Sequence, residues 1–201
     1  MIASAARSRL FELRRERIAA QRSVDLLEQK REALLRETLR RTVRRDALRR
    51  RVDDGYRDAR RKLDIARVEL GMRAIEAAAL AQQPQHAIVR ASTSVMGIQI
   101  PRLTVTVSDF RAQYGAAATS CSLDDAGCAF HDVLTDAIAL AEEDCALSRL
   151  RAATRKTGKL LNALKKIVVP RIEREIRFVL EGIEEEERDE ALRRTVWRRS
   201  A

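Results

Sequence analysis

Apolar side chains at Leu10, Leu13, Ala20, Val24, Leu27, Leu34, Leu48 and Val52 fall on alternating spacings of three and four residues, the period of one face of an α-helix. Arg17, Arg31, Thr38, Arg41 and Arg45 fill the remaining positions of that stripe. The element this predicts is a coiled-coil helix with polar interruptions, a weaker seam than a leucine zipper. After Val52 the stripe steps by four to Tyr56 and resumes through Ala59, Leu63, Ala66 and Leu70, a stutter that locally unwinds a supercoil. From Ala6 to Leu80 no proline occurs and glycine stands only at 55 and 71. Nothing obliges the helix to stop for about 75 residues, on the order of 110 Å at the α-helical rise.

The pattern changes at the polar break Gln82-Gln83-Pro84-Gln85. From Ser94 to Val107 apolar residues alternate on both sides of Pro101-Arg102, which predicts two short strands and a β-hairpin at about 94–107. Gly115, Ser120, Ser122, Asp124, Asp125 and Gly127 mark residues 109–127 as loop or short helix. From about Cys128 a second helical stripe runs through Phe130, Leu134, Ala137, Ala141, Leu147, Leu150, Leu161, Leu164, Val168, Ile172, Ile176, Val179 and Ile183. Pro170 lies inside it, where a missing N–H and a clash with the preceding turn predict a kink costing about 3 kcal/mol. Neither helix can bury its stripe alone, so the two are expected to pack on each other with their ends together. The expected fold is all-α dominated: a long antiparallel two-helix coiled coil with a small insertion containing a short β-hairpin. Its parts are residues 1–81 as the N-terminal helix, 82–127 as the insertion and 128–201 as the C-terminal helix.

Composition narrows the class further. Seven glycines, three prolines, 3% aromatic and 35% charged residues are the balance of long solvated helices, and they exclude a compact α/β enzyme with many turns. No window approaches eighteen consecutive apolar residues, the longest candidate, Ala74 to Ala81, being interrupted by Glu76, so no membrane-inserted helix is expected. Met1 to Arg7 lacks a basic segment followed by an apolar one, which points away from a secretory signal and toward a cytoplasmic protein. Cys121, Cys128 and Cys145, odd in number and irregular in spacing, fit reduced thiols.

The charge is unevenly placed. Residues 1–62 carry 20 basic and 10 acidic side chains, so the whole net charge of +10 sits in the first third. Such an excess attracts nucleic acid, anionic lipid or an acidic protein surface. The basic residues lie all around the helix and no aromatic residues interleave for base stacking, which disfavours nucleic acid. An Arg-rich coiled coil that binds nucleic acid, or one that serves as a scaffold, remains the alternative.

Candidate chemistry is sparse. Thr157-Gly158-Lys159 suggests a phosphate loop, but Ala153 and Leu160 stand where that loop needs Gly and Ser or Thr. Cys121, Cys128 and His131 supply too few ligands at the wrong spacing for structural zinc, and His86 stands alone in the polar break. Glu184 to Glu187 are consecutive helical residues that point around the axis instead of converging. Their expected role is electrostatic pairing across the antiparallel helices with Arg14, Arg15 and Arg17, at about 0–1 kcal/mol per exposed pair.

Three blocks resemble the D subunit family of the V-type and A-type rotary ATPases. Leu10-Phe11-Glu12-Leu13-Arg14-Arg15, leading to Leu26-Leu27-Glu28-Gln29-Lys30-Arg31-Glu32-Ala33-Leu34, is similar to the family's leucine-rich start and its LLKxKRDAL pattern, with Glu28 and Glu32 in place of Lys and Asp. Val95-Met96-Gly97-Ile98-Gln99-Ile100-Pro101 resembles a VMGVxVP hairpin. Asn162-Ala163-Leu164, Val169-Pro170-Arg171-Ile172 and Glu187-Arg188 match, in order, the NALE, IPRI and ERE elements, although Ala191-Leu192 replaces an aromatic pair and the sequence stops soon after Trp197 instead of in a Lys-rich tail.

The resemblance implies a noncatalytic rotor shaft that carries torque between catalytic ring and membrane rotor during ATP-driven ion transport or ATP synthesis. The implied partners are the A and B subunits of the ring, the F subunit and the rotor-cap subunit, on the cytoplasmic face of the membrane. No cofactor, metal, nucleic acid or direct membrane insertion is implied. Arg7, Arg9, Leu10, Arg14, Arg15, Arg193, Arg194, Trp197 and Arg198, at the paired helix ends, are the expected ring contacts. Val95, Met96, Ile98 and Ile100 are the expected F-subunit or coupling region, and Pro170 is the expected kink.

Overall fold

The computed structural model describes residues 2–83, 86–107, 110–115 and 119–200. In chain order the elements are α1 (Ile2–Leu70), α2 (Met72–Ala81), β1 (His86–Val95), β2 (Ile98–Val107), α3 (Cys121–Ala163), a π-helical turn (Leu164–Val168) and α4 (Val169–Ser200). The fold is all-α dominated, long helices paired antiparallel with a small insertion that holds a two-stranded antiparallel hairpin. The chain divides into two compact units, one of Met1–Ala33 with Thr154–Ala201 and one of Leu34–Ala153.

In the first unit Leu13, Ile172 and Ile176 are buried together, with Leu10, Ala20, Val179 and Leu180 packed around them. Ion pairs give the direction: Arg7 meets Glu187 at 2.9 Å, Arg9 meets Glu175 at 3.7 Å and Glu28 meets Lys165. Positions rise along α1 as they fall along its partner, as antiparallel pairing requires. This register places Leu13 beside Ile172 and Ile176, so Arg14, Arg15 and Arg17 lie below the level of the Glu184–Glu187 run and do not pair with it. Glu187 binds Arg7 instead, and Glu184 binds Arg188 within its own helix at 3.5 Å.

In the second unit α1 and α3 run antiparallel through Arg45–Asp144 at 2.9 Å, Arg51–Asp136 at 2.9 Å and an edge-to-face contact of Tyr56 with Phe130 at 6.2 Å. One core joins Leu34, Ile100, Ala146 and Leu150; another joins Ala66, Ala78 and Leu123. The predicted stripe of α1 supplies the buried positions Leu13, Val24, Leu34, Ala59 and Ala66, whereas Arg17, Arg31 and Tyr56 are exposed. On α3, Leu134 and Ala141 lie outside the core, and Ile138, Glu143 and Ala146 are buried in their stead.

Four boundaries differ from the sequence expectation. The first helix stops at Leu70, because Gly71 takes φ 79 and ψ 163 before the chain resumes as α2, a backbone state that only glycine adopts without cost. The hairpin is longer than about 94–107, and its turn is Met96-Gly97, not the Pro101-Arg102 step: Val95 pairs Ile98 and His86 pairs Val107. Met96 at φ 53 and Gly97 at φ 80 are the two left-handed residues of a type I′ turn. Pro101 sits inside β2 opposite Ser92. Leu103 N–H points away from β1, to Glu142, and Pro101, two residues earlier, shares that side, so the missing N–H costs no ladder bond.

The third difference is that α3 begins at Cys121, seven residues before the expected start. Leu123 N–H bonds Ser120 C=O at 3.0 Å, and Asp124 lies in the first turn, where a carboxylate suits the helix dipole. Gly127, read as loop, is helical and gives room to Phe110, whose Cζ would lie 2.3 Å from an added Cβ. The fourth concerns Pro170: the departure from α geometry just before it takes the form of a π-helical turn over Leu164–Val168, one way a helix absorbs a missing donor. Pro84 and Gln85 of the polar break lie outside the described residues.

Two measurements check this packing. Leu150 is fully buried and Leu39 is 67% exposed, so Leu150→Ala should cost about 2–5 kcal/mol while Leu39→Ala stays within about 0.5 kcal/mol in denaturant unfolding followed by circular dichroism. At the α1–α3 junction Ser122 and then Ser120 hold the Glu69 carboxyl below its ordinary value by hydrogen bonding. A carboxyl lowered in the folded state contributes stability above its unfolded value that is lost as pH falls through the folded one. Ser122→Ala should therefore raise the Glu69 titration midpoint toward the ordinary carboxylate range in a carboxyl NMR titration.

Candidate functional site

The hairpin is seated on the helices of its unit by three kinds of contact. Ile100, 3% exposed, enters the core beside Leu34, Ala146 and Leu150, with Val95 and Ile98 packed against it. Glu142 accepts the Leu103 N–H at 2.7 Å, and Arg149 donates to the Gln99 carbonyl at 2.6 Å. Both bonds use the edge of β2 that faces away from β1, so α3 covers this edge and relieves it of unpaired backbone groups. Every side chain described from Ala87 to Ser94 on β1 is exposed.

Of the four hairpin residues singled out by sequence, Ile100, Val95 and Ile98 face the helices. Met96, 45% exposed, stands at the tip in a left-handed backbone conformation. A bulky non-glycine residue held there stores strain, and such strain concentrates at functional positions.

Next to the seat lies a polar cleft of about 250 Å³ lined by Arg41, Arg44, Arg102, Glu142 and Glu143 with Thr93, Val95, Ile100 and Pro101. Glu143, 3% exposed, binds Arg41 at 3.1 Å and Arg44 at 3.2 Å. Burial opposes the charge on Arg41, but the hydrogen bond to Glu37 and the attraction of Glu143 outweigh it and hold the guanidinium above its ordinary value. Sequence reading placed Arg41 and Arg45 in the seam but missed their partners. The signal was present in Glu142-Glu143-Asp144, an acidic triplet on the helix opposite two seam arginines.

The expected end contacts fall in the other unit. Leu10 packs on the core of Leu13, Ile172 and Ile176. Arg7 and Arg9 reach across to Glu187 and Glu175, while Arg15 lies 5.9 Å over the Phe11 ring. Arg14 and Arg193 are exposed, and Arg194 pairs with Glu190 at 3.2 Å. Trp197 is 75% exposed, and the side chain of Arg198 lies outside the described residues. Burial on α4 ends near Ile183, and all residues from Glu187 to Trp197 are exposed.

Near the base of α3, an apolar groove of about 580 Å³ lies between α2 and α3, lined by Ile75, Ala78, Phe110, Tyr114, Leu123 and Phe130 among others. Tyr114 closes one side: burial first, and its hydrogen bond to Asp124 second, push its hydroxyl well above the ordinary value. Among the described residues no group of three or more His, Cys, Asp or Glu side chains is placed to hold a metal ion. Thr157, Gly158 and Lys159 lie within α3, not between a strand and a helix. No helix among the described residues is long and apolar enough to cross a membrane.

The family model for the ATP synthase D subunit matches residues 9–199. The chain belongs to the ATP synthase D-subunit family. It is 32% identical to the D subunit of the A-type ATP synthase of Pyrococcus furiosus over 192 residues, 93% of this chain and 89% of that protein. The corresponding A-type D subunit of Halorubrum lacusprofundi is 30% identical over 177 residues, 87% of this chain and 78% of its own length. The D subunit of a V-type ATP synthase, from Thermotoga neapolitana, is 27% identical over 187 residues, 93% and 92% of the two chains. Both the hairpin seat and the paired helix ends, from Arg9 onward, lie within the residues that the family model matches.

The seat can be tested apart from any partner. Replacing Glu142 with Ala removes the acceptor of the Leu103 amide, whose hydrogen exchange should accelerate at least tenfold, while amides in the middle of α1 keep their protection. An unchanged Leu103 exchange rate would mean that the apolar packing of Ile100 and the Arg149 bond to Gln99 hold the hairpin without Glu142.

Proposed function

We propose that this chain is the noncatalytic central shaft of a rotary ATP synthase, transmitting torque between an A/B catalytic ring and a membrane rotor in ATP-driven ion transport or ATP synthesis. The observation that carries this is the family match over residues 9–199, in a chain made of long antiparallel helix pairs. Such a shaft needs no reactive group. Ring conformations set by nucleotide would bind its surfaces unequally at each angle, and the difference in binding free energy drives rotation as a population shift.

In this proposal the helix ends of the first unit, with Arg7, Arg9, Leu10, Arg14, Arg15, Arg193, Arg194, Trp197 and Arg198, bear on the A and B subunits. Arginine suits that task because its fork grips carboxylates and carbonyls while its stem packs on apolar surface. The hairpin is the coupling contact with the F subunit; since Ile100, Val95 and Ile98 face inward, Met96 and the exposed β1 strand are the surface offered. The rotor-cap subunit binds the remaining end, and the complex lies on the cytoplasmic face of the membrane. The π-helical turn before Pro170 supplies the kink that makes the shaft asymmetric.

Co-expression with the same organism's A, B and F subunits, followed by size-exclusion chromatography and an ATPase assay, tests the shaft role. The expected result is one copy per A/B hexamer, F attached, and turnover that changes when this chain is left out. Elution apart from the ring, with salt-sensitive retention of nucleic acid, would favour the Arg-rich binder instead. Replacing the hairpin by a Gly-Ser linker should leave the helices folded and the ring assembled but reduce ATP-coupled ion movement; unchanged hydrolysis and pumping would remove the hairpin from the coupling path.

A further inference from the structure

Glu143 is the buried carboxylate among the described residues, at 3% exposure, and the other buried polar side chain is Thr157. Arg41 and Arg44, one turn apart on α1, grip it at 3.1 and 3.2 Å, and Arg41 also holds Glu37 at 2.7 Å. Its neighbours in the chain turn elsewhere: Glu142 accepts the hairpin's Leu103 N–H at 2.7 Å, and Asp144 meets Arg45 at 2.9 Å. Successive residues of a 3.6-residue helix point about 100° apart, so the triplet fans out, Glu142 to the hairpin, Glu143 to Arg41 and Arg44, and Asp144 to Arg45.

Stability does not account for such a group, because a buried ion pair roughly breaks even against apolar packing of the same volume. Register does. Between Leu34 and Ala59 no residue of α1 is fully buried; Thr38, Arg41, Arg45, Leu48 and Val52 are all half-buried. α3 supplies Ile138, Leu147 and Leu150 as buried knobs here, but the α1 side that receives them is half-buried and partly polar, so it distinguishes poorly between one heptad layer and the next, and a slide of one heptad moves the helices by about 10 Å. A slide of one heptad sets Glu143 against Leu34 and Glu37 in one direction and against Leu48 and Arg51 in the other, so the half-buried Arg41 is lost as its partner in both.

We infer that Glu143 is the register-setting residue of the coiled coil, fixing the axial position of α3 on α1 through Arg41 and Arg44. It acts as the buried polar residue of a two-stranded coil does, by making every register but one costly. Because Glu142 and Ile100 anchor the hairpin at the same level of α3, the hairpin's position is set by the same choice. Register belongs to the helix pair itself and does not depend on the rotary role.

Pulsed dipolar spectroscopy on the full-length chain tests this. The exposed cysteines Cys121, Cys128 and Cys145 are changed to Ser, and spin labels are placed on Arg40→Cys in α1 and Asp132→Cys in α3, both exposed positions. The parent should give one distance. Glu143→Gln, and separately Glu143→Leu combined with Arg41→Met, should add a second population displaced by about 10 Å, the double variant keeping its helical signal. A second population in either variant supports the inference. A single unchanged distance in every variant that folds overturns it. Loss of helical signal in both also overturns it, because a register device can be exchanged for apolar packing without losing the fold.

Discussion

The contact on which everything else rests is the antiparallel seam, since α1 presents an apolar stripe over 69 residues and has no other way to remove it from water. Helix propensity alone sustains a marginal helix; burial of the stripe against a second helix supplies most of the stability. In the first unit that burial is apolar, through Leu13, Ile172 and Ile176. In the second it is shared between small residues, Ala59, Ala66 and Ala146, and large ones, Leu34, Leu123, Ile138, Leu147 and Leu150, of which only Leu34 stands on α1. Small residues let the backbones approach but bury little area each, which leaves room in the seam for ionic contacts.

Those contacts concentrate where the hairpin sits. A two-stranded hairpin is marginal in water by itself, and this one is held by Ile100 in the helical core and by two bonds from α3 to the outer edge of β2. The same stretch of α3 carries Glu143 and Asp144 toward α1. Helix pairing and hairpin docking are therefore parts of one arrangement, and β1 is left as the open edge.

Membership in the ATP synthase D-subunit family agrees with a molecule whose exposed residues are more informative than its buried ones. Phe11, Leu192, Val196 and Trp197 are large, apolar and mostly exposed, and they stand on the unit where the two helix ends pair. The groove between α2 and α3, with its aromatic walls, offers a second surface of the same character in the other unit.

The sequence by itself determined the helical class and most of the seam of α1, because a period of 3.6 residues over such length admits no other element, and the antiparallel return, because two stripes with a short insertion between them can be buried only on each other. It also carried the family blocks, since short motifs in order survive without knowledge of contacts. Where helices begin and end was less legible: the stop at Gly71 depends on a backbone angle, and α3 begins early, with Leu123 N–H bonded to Ser120 C=O and Gly127 inside the helix beside Phe110. The hairpin turn was misplaced because proline reads locally as a break, whereas its effect depends on which edge of the strand its nitrogen faces. Only the tertiary structure decided that Glu187 meets Arg7, that Ile100 is an anchor, and that Glu143 lies between Arg41 and Arg44. Each of these is a pairing of residues distant in the chain, set by axial register, and the period of a helix specifies which face is buried without specifying how far along its partner it is placed.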